Sequence, residues 1–236
     1  MANNLNVKKK LVVLSGAGIS AESGINTFRD AGGLWEGHNV MDVATPEGWH
    51  KNPELVLDFY NQRRQQLKQV QPNLGHQILA ALENDFDVFI ITQNVDNLHE
   101  KAGSSNVLHL HGELLKVRST KNSSYILDWE TDLNFGDVDD KGNQLRPHIV
   151  WFGEEVPALE EAIPIVEKAD ILIIIGTSLQ VYPAASLMNF AKRNIPVFYI
   201  DPKPTAIYNF SNDIKVLATT GSKGMEILRK ELRKLQ

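Results

Sequence analysis

Five short apolar runs rich in β-branched residues recur along the chain: LVVLS at 11–15, DVFIIT at 87–92, DILIIIG at 170–176, IPVFYI at 195–200 and IKVLA at 214–218. They are continuous rather than alternating, the pattern of strands covered on both faces in a parallel sheet between helix layers. Helical patterns lie between them: PELVLDFYNQRRQQLKQV at 53–70, with Pro53 suited to a first turn, NLGHQILAALEN at 73–84, ALEEAIPIVEKA at 158–169 and PAASLMNFAKRN at 183–194. This alternation predicts an α/β fold, a Rossmann-like doubly wound parallel sheet.

Two segments break the alternation. Residues 31–74 separate the first strand from the next without a compact crossover, and VRSTKNSSYILDWETDLNFGDVDDKGNQL at 117–145 is polar, acidic and turn-rich. Loops this long inside a compact domain carry structure of their own or function. They predict a smaller inserted lobe formed by approximately 31–74 and 117–145, on a core of approximately 1–30, 75–116 and 146–236, with a cleft between them.

Composition narrows the function. With 236 residues and 42% hydrophobic content the chain can bury a sizeable core. A net charge of −5 argues against a general nucleic-acid or membrane binder, and the one dense basic run, Lys8 to Lys10, is short. Cysteine is absent, which excludes disulfides and thiolate metal sites. No stretch has the roughly 18 apolar residues that span a bilayer, and the polar MANNLN lacks a signal-peptide segment, so the expected location is cytoplasmic.

The candidate chemistry begins after the first strand, in GAGISAESGINTFR. Gly16 and Gly18 let backbone approach a pyrophosphate, but many strand-to-helix turns hold such glycines for steric reasons alone. A dehydrogenase would continue into a helix, a second strand and an acidic ribose ligand roughly 20 residues on; here SGINTFRDAGGLW intervenes. In TQNVDNLH, Gln93, Asn94 and Asp96 follow a strand at its carboxyl end, where a ligand or a simple helix cap would equally use them. His109 and His111 in HLHGEL share a strand face but lack the further ligands a zinc site requires. Gly176, Thr177 and Ser178 end another strand, where they meet a nucleotide or cap a helix, and Asp201 ends the next, a position from which a carboxylate binds a ribose diol.

Together GAGISAESGINTFR, TQNVDNLHEKAG, HLHGEL, RPHIVWFGE and GTSLQVYPAA, in that order over almost the whole chain, resemble the sirtuins, NAD-dependent protein lysine deacylases. The resemblance implies NAD consumed as a co-substrate. It implies cofactor contacts from Gly16, Ala17, Gly18, Ser20, Gln93, Gly176, Thr177 and Ser178, and from Asp201 or Tyr199, one of which stands where sirtuins commonly carry an Asn; it also implies a cover formed by Phe28 and Arg29 and a nicotinamide and ribose pocket lined by Asn94 and Asp96. His111 matches the catalytic histidine, and an imidazole titrating near neutrality suits proton abstraction from a ribose hydroxyl; His109 reads as structural. Val150, Phe152, Gly153 and Glu154 would border the acyl-lysine tunnel, in a segment that pairs with the peptide as a strand. The implied course is attack of the acyl oxygen on the ribose carbon bearing nicotinamide, then release of free lysine and O-acyl-ADP-ribose.

Tyr60 and Arg63, i and i+3 on a helix, form a boundary pair of the sort amphipathic helices often carry. Within the resemblance this Y-x-x-R looks like the acyl-carboxylate pair of desuccinylase-type sirtuins, and a guanidinium fork with a hydroxyl suits succinyl or malonyl groups, with acetyl also accepted. Two departures stand out. Most sirtuins bind a structural zinc through four cysteines; here Ser119 stands where a first would be, so no zinc is expected and packing of Tyr125, Ile126, Leu127, Trp129 and Phe135 would hold the lobe. Asn26 replaces the usual Pro of the signature. The expected partners are acyl-lysine proteins; the alternatives are an NAD hydrolase without a peptide requirement and a non-catalytic NAD- or ADP-ribose-binding module. Oligomeric state is not legible.

Overall fold

The structure, a computed structural model, describes residues 7–25, 34–35, 37–208 and 210–235. The chain runs β1 (Lys10–Ser15), α1 (Ala17–Ala21), β2 (Leu34–Trp35), β3 (His38–Asn39), α2 (Val40–Val43), α3 (Pro46–Lys51), α4 (Pro53–Gln69) and α5 (Leu74–Ala81). It continues through β4 (Asp87–Thr92), α6 (Leu98–Lys101), β5 (Val107–His109), β6 (Gly112–Ser119), β7 (Ile126–Asp128) and β8 (Leu145–Ile149). It ends with α7 (Leu159–Glu167), β9 (Ile171–Ile175), β10 (Val197–Ile200), β11 (Ile214–Leu217) and α8 (Gly221–Leu232).

The five apolar runs become five strands of a six-stranded sheet ordered β11-β10-β9-β1-β4-β5, and every pairing in it is parallel. Val13 lies opposite Ile90 on one side and Ile173 on the other, so β1 is central. Successive residues feed opposite faces: Leu11, Val13, Ile171 and Ile173 pack with Leu79 of α5 and Met225 and Leu228 of α8. Val12, Leu14, Leu172 and Ile174 pack with Ala162 and Val166 of α7 and with Leu187 and Met188. The chain leaves β1 toward β4 and later returns to β9 on its other side, so the switch point of the sheet, where such folds bind ligands, falls between the carboxyl ends of β1 and β9.

Three elements differ from expectation. The stretch 183–194 forms only a 3-10 helix at Ala184–Phe190; its buried stripe is as expected, but Ala191 already has extended backbone. The sixth strand, β5, and the C-terminal helix α8 were not anticipated, although Met225, Leu228 and Leu232 carry a helical period. Among the described residues no helix is long and apolar enough to cross a membrane.

A second, antiparallel sheet ordered β7-β6-β8 stands beside α4. Its core is Leu57, Val117, Leu133 and Leu145, with Trp49, Tyr125 and Trp129 packed against it. Ile126, Leu127 and Phe135 do not contribute as expected: they are 42%, 38% and 64% exposed, the first two because β7 is a three-residue edge strand facing solvent and Phe135 because it sits in an exposed turn with Gly136. Polar links complete the packing. Asn61 of α4 bonds both the N–H and the C=O of Leu133, and Arg64, itself buried, bonds Asn61 and the carbonyl of Leu114.

Candidate active site

At the switch point two loops cross in backbone contact. Gly16 N–H donates to the Ile175 carbonyl at 3.0 Å and Gly18 N–H to the Gly176 carbonyl at 2.7 Å. A Cβ on Gly18 would lie 2.7 Å from Gly176 Cα, and Gly176, at φ +63°, would drive a Cβ into the backbone nitrogen of Ile19. The first demand on these glycines is therefore loop-to-loop approach, and the Gly18 N–H is spent inside the protein. Ala17 opens the short helix α1, and Ser20 on the same helix is buried.

The chain leaving β4 is held by one donor for each of four consecutive carbonyls, Thr92 to Val95. The Thr92 carbonyl accepts from Leu110 N–H at 2.9 Å, Gln93 from His111 Nδ1 at 3.1 Å, Asn94 from His109 Nδ1 at 2.8 Å and Val95 from Leu114 N–H at 2.8 Å. All four donors lie between 109 and 114, so β5 and the start of β6 shape the loop. Its side chains converge on Ser20, whose hydroxyl accepts from Asn94 Nδ2 and donates to Asp96 Oδ2, both at 3.0 Å. Asp96 also accepts from Leu98 N–H, yet burial outweighs these bonds and holds its pKa above the usual carboxylate value.

His111 is poised as a base. A carbonyl only accepts, so the Gln93 contact puts the proton on Nδ1, and no described residue bonds Nε2. Burial holds its pKa below the ordinary imidazole value, partly opposed by the Gln93 carbonyl, so the ring is neutral at neutral pH with the Nε2 lone pair available. Its own carbonyl accepts from Val150 N–H at 2.9 Å, tying the histidine to the 150–154 segment.

The other expected site residues divide. Gln93 Nε2 donates to Thr177 Oγ1 at 3.2 Å, linking β4 and β9, and Tyr199 hydroxyl donates to the Thr177 carbonyl at 3.0 Å. Ser178 is half-buried beside them, and Asp201, buried at the end of β10, accepts from Lys203 N–H. Phe152 is 47% exposed, with its N–H bonded to the Ala44 carbonyl, and Gly153 has φ +89°. Glu154 turns inward: its carboxylate binds Arg146 at 2.7 Å, Arg118 at 3.1 Å and Trp151 N–H at 2.8 Å, and these contacts hold its pKa low despite burial. These contacts brace the segment. Phe28, Arg29 and Asn26 lie outside the described residues.

Tyr60 is wholly buried in the lobe core, its hydroxyl accepting from Trp151 Nε1 at 3.0 Å; burial raises its pKa. Arg63 lies one turn on, half-buried, its guanidinium 5.4 Å from the Phe59 ring centroid. Trp151 and Arg146, whose guanidinium carbon lies 3.3 Å from the Trp151 ring centroid, form a stacked pair that the RPHIVWFGE motif does not reveal.

Fold and site define a dinucleotide-type α/β protein whose crossed glycine loops adjoin a neutral histidine and a buried Asn–Ser–Asp network. A family model described as the Sir2 family matches residues 16–183. An "NAD-dependent protein deacylase" of Helicobacter pylori strain J99 is 66% identical over 195 residues, 83% of this chain and 83% of the relative. A protein of the same description from Bacteroides thetaiotaomicron is 56% identical over 230 residues, 95% of this chain and 98% of the relative. Among solved structures, a Sir2 homolog-NAD complex superposes with a TM-score of 0.85 at 40% identity, covering 97% of this chain and 91% of that one. The chain belongs to the Sir2 family, the sirtuins.

Proposed function

We propose that this protein is an NAD-dependent protein lysine deacylase that removes succinyl and malonyl groups and also accepts acetyl. The observation that carries the reading is His111, whose ring is fixed through Nδ1 to the Gln93 carbonyl while Nε2 faces no described partner. The family and the names of the relatives support the reaction class. The residues present suit the co-substrate: small-residue loops meet at the switch point, and the buried Asn94, Ser20 and Asp96 offer an ordered polar wall. NAD supplies the ribose carbon that loses nicotinamide and receives the acyl group, giving nicotinamide, O-acyl-ADP-ribose and free lysine.

In this reading His111 Nε2 takes the proton of a ribose hydroxyl, and Asn94 and Asp96 orient nicotinamide and a water. Gly16, Ala17, Gly18, Ser20, Gln93, Gly176, Thr177 and Ser178 border the nucleotide, Asp201 binds a ribose, and the family resemblance assigns the cover to Phe28 and Arg29, outside the described residues. Val150, Phe152 and Gly153 meet the peptide, with Glu154 fixing their path. Acyl preference rests on Tyr60 and Arg63: Trp151 occupies the acceptor side of the Tyr60 hydroxyl, so its own proton remains for a carboxylate.

Structural zinc does not fit this chain, and the protein is read as zinc-independent and cytoplasmic. The chain has no cysteine, and Ser119 instead donates to Asp139 at 2.6 Å. That carboxylate also gathers the N–H groups of Lys141 and Asn143, contacts that pull its pKa down.

The test is NAD-dependent turnover of acetyl-, malonyl- and succinyl-lysine peptides followed by mass spectrometry. His111→Ala is expected to cut turnover about 1000-fold, and Arg63→Met to reduce desuccinylation far more than deacetylation. Full activity without His111 sinks the assignment. Equal losses on both acyl groups sink the acyl preference, and nicotinamide release without any peptide points to an NAD hydrolase.

A further inference from the structure

His109 and His111 donate Nδ1 to the consecutive carbonyls of Asn94 and Gln93, but their second nitrogens meet different surroundings. His109 Nε2 lies 2.7 Å from Glu100 Oε1, with the histidine side chain only 6% exposed. A carbonyl and a carboxylate both only accept. A neutral ring satisfies one and presents a lone pair to the other; meeting both requires the imidazolium. Burial alone would lower the pKa of His109, but the hydrogen bond and charge of Glu100 outweigh it and hold the pKa above the ordinary value. Glu100 is held low in turn, against its own burial.

Other charged groups do not replace this pairing. A cavity of about 290 Å³ beside it is lined by Asp96, Glu113, Lys116, Asp128 and Glu130. Lys116 is bound to Glu113 at 2.7 Å, and His99 behind the pair is kept neutral by burial.

We propose that His109, held as an imidazolium by Glu100, is a positioning residue for deacylation: it anchors the Asn94 carbonyl and thereby orients the Asn94 side chain within the Ser20–Asp96 network. The inference rests on the reading of His111, Asn94 and Asp96 given above. When the ring loses a proton, the one that remains goes to Nε2, because a bond to a carboxylate is stronger than one to a carbonyl. Asn94 then faces a lone pair and its anchor is lost. The two histidines, His109 at the end of β5 and His111 in the turn that follows, thus work in opposite states, His111 neutral and His109 charged.

The experiment measures kcat and KM against pH for the wild type, His109→Ala, Glu100→Gln and, as a control, His111→Ala, with imidazole NMR of His109 in the first and third. His109→Ala is expected to lower kcat about 10-fold or more while KM for NAD changes less than about 3-fold. Wild-type kcat is expected to fall as pH rises through the pKa of His109, in step with its NMR titration. Glu100→Gln abolishes that fall, because an amide donates to Nε2 and leaves the last proton on Nδ1. Wild-type kcat in a folded His109→Ala, or the same alkaline limb in wild type and Glu100→Gln, overturns the inference. If His109→Ala fails to fold, as melting curves would reveal, the comparison of wild type with Glu100→Gln decides alone. Activity retained by His111→Ala would instead overturn the reading beneath it.

Discussion

In the parallel sheet all five residues of β9 are buried and both faces meet aliphatic helix surfaces, whereas in the lobe all three residues of β7 are exposed. The antiparallel sheet, with the β8 strand and the segment after it, compensates with directional contacts: Glu154 between Arg146 and Arg118, Asn61 on Leu133, and Ser119 on Asp139. Aliphatic burial is non-directional and sets a rigid platform; hydrogen bonds and ion pairs are geometric and fix the path of individual loops. The site sits where the two regimes meet: His111 bonds its carbonyl to Val150 of the braced segment and its ring to Gln93 of the sheet loop. Damage to the sheet should therefore unfold the protein, and damage to the lobe should misplace its loops at smaller cost.

Gly176→Ala is expected to cost most, more than about 4 kcal/mol, since a side chain at φ +63° meets the backbone of Ile19. A denaturant midpoint near wild type would break the comparison on the sheet side. Acidification follows. Burial depresses the pKa of His76 to about 4 and pushes His99 well down, while the unfolded chain titrates near the ordinary 6.5. The unfolded state therefore binds more protons as pH falls below 6.5, and stability present above that pH is lost toward pH 4, by about 3 kcal/mol from His76 alone. Chemical unfolding across that window measures it, and His76→Phe should flatten the slope.

Glu154→Ala leaves two partly buried guanidinium groups unpaired and should cost about 2 kcal/mol, with a rise in KM for peptide exceeding that for NAD. Equal effects on both would deny that the brace belongs to the peptide side. Leu127→Ser, on the exposed edge, should change stability by no more than about 0.5 kcal/mol. A larger loss measured by thermal unfolding would mean that β7 contributes to the lobe core after all.

What the sequence determined by itself is the layered architecture and the family. Five strands, α4, α5 and α7 could be read from apolar periodicity, because covering both sheet faces demands continuous aliphatic runs whatever the partners are; the fifth strand, β11, is a partly exposed sheet edge rather than a buried strand. The motifs also marked His111, Asn94 and Asp96, since their chemistry and order along the chain are local properties. The tertiary structure decided everything that depends on which polar groups meet. Only the fold brings Gly18 against Gly176, hands four consecutive carbonyls of one loop to donors from 109–114, and turns Glu154 inward to two arginines. It also separates His109 from His111: two like residues, one ending β5 and the other in the turn after it, differ in surroundings because one has a carboxylate at its second nitrogen and the other meets no described residue there. Hydrogen bonds between distant segments leave no periodic trace in a sequence, and a titratable group takes its protonation state from those neighbours rather than from its type.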